Sequence, residues 1–177
     1  MSLQHLAIQD IYWTAMHPNQ SQEARMKEIM DSCYAAYCFA IDGLLSGKYV
    51  VTEETLYDVI DKQMKSDWID VRPPKAGPWT TMRYMIRMAC HNWMDEVACK
   101  DREYLAAYLK HKHENQIYIP HSGMPLKDSV QIERVCRVPI DPIDIPTRIH
   151  LVVAHWDPIK QEWRAEVRAA LKDKADS

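Results

Sequence analysis

An imidazole and a carboxylate four residues apart are the first side chains in this sequence whose spacing suits chemistry. His91 and Asp95 have this spacing, and Cys99 follows after another four residues. In a helix these positions share one face, where the pair can ligate a metal ion or act as a general base and its orienting group. With Arg87 alongside, the face also fits a solvated surface whose pairs each contribute about 0.2–0.5 kcal/mol. We expect the solvated surface and keep a metal-dependent hydrolase as the alternative.

Three histidines further along the chain are additional candidate ligands for the metal ion of such a hydrolase. His111 and His113 are followed by Glu114, and His121 lies seven residues beyond. Neutral imidazoles are good ligands for zinc and nickel. However, His111 and His113 point to different sides of a helix, and they converge only where a helix ends between them. Because histidine and basic side chains are favourable at the negative end of a helix, we expect a solvated helix end without a metal, and no cofactor.

A third candidate is a basic and aromatic segment around a proline-rich connector, formed by Arg72, Lys75, Trp79, Arg83 and Arg87. A helix starting at this point exposes N–H groups that bind phosphate, and an indole beside arginines can stack a nucleic-acid base. The segment lacks the glycine spacing of a P-loop or a dinucleotide-binding fingerprint. We expect Trp79 in the core and the arginines on a solvated face. Single-strand nucleic-acid or phosphate binding at residues 72–87 is a second alternative.

The segment 139–146 is rich in proline and carries two acidic residues. Asp141 and Asp144 share one face if the segment is a polyproline II helix, which repeats every three residues. Such a strip can dock in an aromatic groove of a partner. The basic residue that flanks proline-rich ligands is not at the right spacing, so we expect a rigid crossover between two strands.

Apolar side chains at spacings of three and four residues predict a largely helical first part of the chain. Trp93 lies at the centre of the apolar face of the longest helix, so we expect it in the core. Lys100 and Asp101 interrupt that face, which predicts either one long helix or two helices with Asp101 as the second cap. The helices are predicted over residues 4–16, 20–46, 52–64 and 80–112.

The sequence changes character after about residue 115. β-Branched residues predict strands over 117–119, 130–138 and 148–156. Asp157 and Pro158 then suit the cap and first position of a closing helix. We therefore predict an α+β, helix-dominated fold, with an N-terminal helical bundle followed by a small late β-sheet and a C-terminal helix. The expected organisation is a single domain, 1–177, with a helical part, 1–115, and an α+β part, 116–177.

The predicted closing helix is also a candidate interaction surface. Its apolar stripe includes Trp163 and Val167, and a helix of this length is marginal alone in water, so something must cover it. We expect it to dock on the chain's own sheet, with a second copy or another protein as the alternative. The candidate interaction residues are Trp163, Val167, Asp141 and Asp144.

Composition limits the classes of function. The 177 residues carry a formal net charge of −3, and 27% of them are charged. This balance argues against a general nucleic-acid coat and against a membrane-surface binder. No apolar run approaches the roughly 20 residues of a membrane span, and the N-terminus lacks a secretory signal pattern. Five cysteines without a CxxC pair predict free thiols and a cytoplasmic protein.

We expect a protein-protein interaction or regulatory protein without its own catalysis. Six Trp, nine Tyr and ten Met are residue types enriched where proteins bind one another. The expected partner is another protein, or a second copy in a homo-oligomer; neither a membrane nor nucleic acid is expected. An accessory protein of a mobile element fits this description.

Overall fold

The computed structural model describes residues 10–121, 126–145 and 147–170, and the chain divides into two compact units. One, the helical unit, is Lys27–Gln116. The other, the sheet unit, combines the chain up to Met26 with the chain from Ile117 onward. The change of character predicted after residue 115 falls at one junction, and the N-terminal part of the chain belongs to the sheet unit.

The first helix, α1 (Gln20–Leu45), begins with a reciprocal cap. The Asn19 side chain accepts a hydrogen bond from the Gln22 N–H at 2.8 Å, and the Gln22 side chain accepts one from the Asn19 N–H at 3.0 Å. The cap satisfies N–H groups that a helix leaves without internal partners. Within the sheet unit, Arg25 of this helix donates two hydrogen bonds to Glu133, at 2.7 and 2.8 Å. The helix predicted over 20–46 is confirmed.

Beyond α1, the helical unit contains four further helical segments and a π-helical stretch that connects two of them. The segments are α2 (Leu56–Asp58), the π-helix (Val59–Met64), α3 (Lys65–Val71), α4 (Trp79–Glu96) and α5 (Arg102–Lys110). Their apolar faces are buried, as the periodicity of three and four residues predicts. The buried side chains include Ile60, Met64, Met82, Ile86 and Leu105.

The long helical pattern over 80–112 is divided between α4 and α5. The Asp101 side chain accepts a hydrogen bond from the Tyr104 N–H at 3.1 Å and caps α5, which is one of the two predicted alternatives. Trp93 is 9% exposed and lies in the core, as predicted. Val97 is half exposed because the apolar face ends where α4 ends.

In its described residues, the sheet unit contains a four-stranded sheet and a separate hairpin. The strands in chain order are β1 (Asp10–Met16), β2 (Gln116–Pro120), β3 (Ser129–Glu133), β4 (Cys136–Pro139), β5 (Ile149–Asp157) and β6 (Glu162–Ala169). The larger sheet has the order β1-β6-β5-β2, with antiparallel pairs β1/β6 and β6/β5, and β3 pairs with β4. The strands predicted over 117–119 and 148–156 are confirmed, and 130–138 forms the hairpin.

The helix predicted over 4–16 is wrong for the residues that the structure describes. Residues 10–16 form β1, and residues 4–9 lie outside the described part of the chain. In β1, Thr14 and Met16 are buried while Ile11 and Trp13 on the other face are exposed. This alternation has the period of two that a strand requires, and aromatic and β-branched residues favour strands.

The predicted C-terminal helix is also wrong. Residues 162–169 form β6, and the part of the prediction beyond residue 170 lies outside the described residues. Trp163 and Val167 are four positions apart, which is one helical turn but also two strand periods, so both share a face in either structure. The charged residues between the apolar ones, Arg164, Glu166 and Arg168, identify the strand.

The turn before β6 contains Asp157 and Pro158, which were predicted to start a helix. The Asp157 carboxylate accepts hydrogen bonds from the N–H groups of Ile159 and Lys160, at 2.9 and 3.1 Å. Gln161 then adopts a positive φ of 54° and completes the hairpin between β5 and β6. Asp-Pro therefore initiates a turn here, because the same side-chain capping of N–H groups serves turns and helix starts.

The predicted helix-dominated class, a bundle followed by a small sheet, is therefore wrong. The described chain is a mixture of helices and two antiparallel sheets, and the larger sheet uses strands from both ends of the sequence. Among the described residues, no helix combines the length and the apolar character that a membrane span requires.

Candidate functional site

The first predicted pair is divided between the interior and the surface. His91 is buried in α4, whereas Asp95 one turn later is exposed. Burial lowers the pKa of His91, and the charge of Arg87 lowers it further. In the described part of the chain, no three His, Cys, Asp or Glu side chains are grouped as metal ligands. The geometry thus gives no support to the metal-dependent hydrolase.

His113 is a buried core residue within a neutral hydrogen-bond network. Asn92 donates to the Tyr37 hydroxyl at 3.1 Å and to Nε2 of His113 at 3.0 Å, and Nδ1 of His113 then donates to Gln116 at 3.2 Å. The Tyr37 hydroxyl donates to the Leu109 carbonyl at 2.7 Å. Burial raises the pKa of Tyr37 to about 12. Both ring nitrogens of His113 therefore form hydrogen bonds within the protein.

The other two histidines of the predicted cluster occupy different surroundings. His111 follows α5, is exposed, and has Nδ1 at 3.6 Å from Glu114. His121 follows β2 in the sheet unit, where its N–H donates to the His150 carbonyl at 3.0 Å. Burial lowers the pKa of His121.

The side chains of the predicted basic segment form ion pairs and cation–π contacts with acidic and aromatic residues of the helical unit. Arg83 donates two hydrogen bonds to Asp61, at 2.7 and 3.1 Å, and this interaction lowers the pKa of Asp61. Arg83 and Arg87 both lie over the Tyr57 ring, at 5.6 and 5.5 Å. The charges are thus paired within the protein rather than directed at one anion. Of the remaining residues, Arg72 follows α3 and Lys75 lies 3.6 Å from Glu28. The prediction that Trp79 lies in the core is wrong, because Trp79 is only partly buried and has the Lys65 ammonium 5.4 Å from its ring.

The predicted proline-rich strip contacts the sheet. The N–H of Asp141 donates to the Ala15 carbonyl at 3.0 Å, and the Asp141 carbonyl accepts from the Thr14 hydroxyl at 2.7 Å. Asp144 is exposed. Trp163 and Val167 are both buried, so these two side chains offer no surface to a partner.

Sequence reasoning missed a cluster on the opposite face of the sheet, which we call the sheet site. It is formed by Trp13, His155, Arg164, Glu166 and Arg168. The register places Trp13 of β1 opposite Glu166 of β6, and Arg164 of β6 opposite His155 of β5. Because directly paired residues project to the same face, three strands bring these side chains together. The sequence feature that could have indicated this face is the alternation of charged and apolar residues in 162–169.

Glu166 is the centre of the sheet site. Its side chain is 9% exposed, with one carboxylate oxygen 2.8 Å from Nε2 of His155 and the other 2.7 Å from Nε of Arg168. Burial alone would raise the pKa of Glu166, but the hydrogen bonds and charges of His155 and Arg168 outweigh it and lower this pKa. The carboxylate therefore stays ionised and holds both partners in place.

Trp13 forms the exposed border of the sheet site. The residue is 45% exposed, its ring lies 5.0 Å from the His155 ring, and the Arg164 guanidinium lies 4.5 Å above the ring. Ile11, two positions earlier on the same strand, is 53% exposed. The arrangement presents a wide apolar surface next to arginine and histidine side chains, which suits an anionic partner with apolar groups.

The comparisons with known proteins assign no family. No family model matches the chain, and no curated protein matches its sequence.

Proposed function

We propose that this protein is a cytoplasmic interaction protein that binds an extended, acidic segment of another protein along β1. The observation that carries the proposal is the exposure of Trp13 and Ile11 on an edge strand, next to the guanidinium of Arg164. Tryptophan and arginine are enriched among the residues that contribute most of the binding energy at protein-protein interfaces.

The edge of β1 supports an extended partner. Its second half is covered, because Asp141 donates to the Ala15 carbonyl and His17 donates to the Pro139 carbonyl. The peptide groups of a strand alternate in direction, so those of Ile11 and Trp13 point to the same side as those of Ala15. In the described part of the chain, β1 has no further strand on that side. Such an edge is a template for strand addition.

Charge indicates an acidic partner. Arg164 is exposed over the Trp13 ring, and Arg168 and His155 lie on the same face. The buried carboxylate of Glu166 contacts His155 and Arg168, whereas the guanidinium of Arg164 lies at the exposed rim of the sheet site. The exposed rim is therefore basic, and an acidic segment gains attraction and faster association there.

Binding is preferred over catalysis because the candidate catalytic groups are used structurally. His113 is held in its hydrogen-bond network, and Glu166 holds His155 and Arg168. The cytoplasmic assignment rests on the five cysteines, none of which forms a disulfide; all five lie in the described part of the chain. Reducing compartments keep thiols in this form.

The test uses a fluorescent peptide of alternating glutamate and valine residues, with fluorescence anisotropy as the measurement. We expect saturable binding that weakens with added salt. Trp13→Ala should weaken this binding by at least about tenfold. Tyr104→Ala is the matched control, since Tyr104 is an exposed aromatic residue of the helical unit, and it should bind like the wild type.

Two results would contradict the proposal. One is equal binding of a lysine-valine peptide, and the other is equal loss of binding in the Trp13 and Tyr104 variants. Tighter binding of a short oligothymidine than of the acidic peptide would assign the sheet site to nucleic acid instead, because aromatic and basic side chains also stack bases.

A further inference from the structure

The open part of the β1 edge is complementary to a second copy of itself. The peptide groups of Ile11 and Trp13 point away from β6, and in the described part of the chain no strand pairs with them. The next outward-facing residue, Ala15, is covered because its carbonyl accepts the Asp141 N–H at 3.0 Å. The open stretch therefore ends before Ala15, and its two outward-facing residues are separated by Tyr12 alone.

This spacing favours one antiparallel register between two copies of β1. A twofold axis through Tyr12 places Ile11 of each copy opposite Trp13 of the other, and each such pair exchanges two backbone hydrogen bonds. A twofold axis through Trp13 would instead place Ile11 opposite Ala15, which is already covered. The register centred on Tyr12 thus pairs both open residues with each other.

The side chains support the same register. Directly paired residues project to one face, so the exposed side chains of Ile11 and Trp13 meet across the axis on the face of the sheet site. On the other face, Tyr12 meets its own copy and Asp10 lies opposite Thr14. The register therefore forms aromatic and β-branched pairs and places no like charges directly opposite each other, which are the conditions for stable cross-strand pairs.

We propose that β1 pairs with β1 of a second copy, and that this homodimer occupies the edge at which an acidic segment docks. The dimer forms at high protein concentration, because the contact spans a few residues and buries less than the roughly 1,200–2,000 Å² of stable interfaces. The acidic residue of the second copy's β1, Asp10, projects to the face opposite Arg164. An acidic segment places a carboxylate beside Arg164, so it displaces the second copy; this competition rests on the proposed function, whereas the dimer does not.

Sedimentation equilibrium of the wild-type protein tests the dimer without any peptide. We expect the average mass to rise with protein concentration towards twice the monomer mass and no further, because a twofold contact is closed. Ile11→Lys should weaken this association by at least about tenfold, since lysine on an edge strand opposes strand pairing. Ile159→Lys is the matched control: it adds the same charge at an exposed isoleucine of the same unit and should associate like the wild type.

Cysteine cross-linking tests the register. In the proposed pairing the two Tyr12 residues form a non-hydrogen-bonded pair with Cα atoms about 4.5 Å apart, within the range of about 4.4–6.8 Å that disulfides span. Under mild oxidation Tyr12→Cys should therefore form a covalent dimer linked through residue 12, identified by mass spectrometry. Asp10→Cys should not, because the two copies of residue 10 are about 14 Å apart along the strands.

The outcomes separate the dimer from the docking proposal. A protein that stays monomeric at every concentration, or equal association of the Ile11 and Ile159 variants, overturns the dimer and leaves acidic-peptide binding to its own test. Growth beyond a dimer, or cross-linking at residue 10 rather than residue 12, overturns the twofold register. Saturating glutamate-valine peptide should return the average mass to that of the monomer with its peptide, and a dimer that persists with peptide bound would contradict the competition.

Discussion

His113 and Glu166 show how single buried polar residues are accommodated in this protein. His113 is neutral in its network, with Asn92 donating to one ring nitrogen and Gln116 accepting from the other. Glu166 is charged, and His155 and Arg168 balance it. In both cases the hydrogen-bond partners come from two different elements. Removing one partner leaves a buried polar group unsatisfied and lowers the stability of the folded protein.

The neutral network predicts the effect of Asn92→Ala. The change leaves the His113 Nε2 acceptor without its donor and removes a bond to the Tyr37 hydroxyl, so the free energy of unfolding should fall by about 1–3 kcal/mol. Urea denaturation followed by circular dichroism measures it. Gln63→Ala, an exposed change, is the control, and equal stability of the two variants would contradict the network.

The charged cluster predicts a pH-dependent effect of Glu166→Gln. Because the pKa of Glu166 is lowered in the folded protein, its stabilisation is complete above the ordinary value of 4.5 and is lost as the pH falls through the lower folded-state pKa. The variant should lose about 1.5–3 kcal/mol at pH 7. The difference from wild type should shrink below about pH 4, when thermal unfolding is measured across pH; a constant difference would contradict the assignment.

At the scale of elements, local signals were predictable and strand pairing was not. Asn19 and Gln22 are three residues apart, so the cap of α1 is visible in the sequence. The spacing of Trp163 and Val167 fits a helix and a strand equally. The alternation of charged and apolar residues in 162–169 favours the strand, but it does not say that this strand pairs with β1 and β5. Trp13 and His155 are more than 100 residues apart in the sequence, so no local motif predicts that they meet in the sheet site.

The open edge of β1 predicts different effects of proline at neighbouring positions. Ile11→Pro removes an N–H that points away from the sheet, so the fold should persist and acidic-peptide binding should be lost. Tyr12→Pro removes an N–H on the side paired with β6 and should lower the melting temperature by several degrees. Thermal unfolding and anisotropy measure both, and the account fails if Ile11→Pro binds the peptide as the wild type does.

At the scale of the whole molecule, the mixed fold buries three of its five cysteines and leaves the edge of β1 accessible. Cys33, Cys90 and Cys136 are buried, and Cys38 and Cys99 are partly exposed. Burial raises the pKa of Cys90 to about 12 and also raises the pKa of Cys38 and Cys136. Thiolates, rather than thiols, are the reactive form.

Thiol titration with a disulfide reagent should therefore separate the folded and unfolded protein. In denaturant without reductant, all 5 cysteines should react. In the native protein, Cys99 should react first, since the other four are buried or have a raised pKa. Fewer than 5 thiols in denaturant would contradict the assignment of reduced cysteines.

Strand addition at β1 is the central claim, and amide hydrogen exchange of the Ile11 and Trp13 N–H groups tests it most directly. With the glutamate-valine peptide bound, we predict slower exchange at these two amides, because each gains a backbone hydrogen bond. Little change is expected at Tyr12 and Thr14, whose N–H groups point toward β6. Peptide binding that leaves the exchange of Ile11 and Trp13 unchanged would contradict the account.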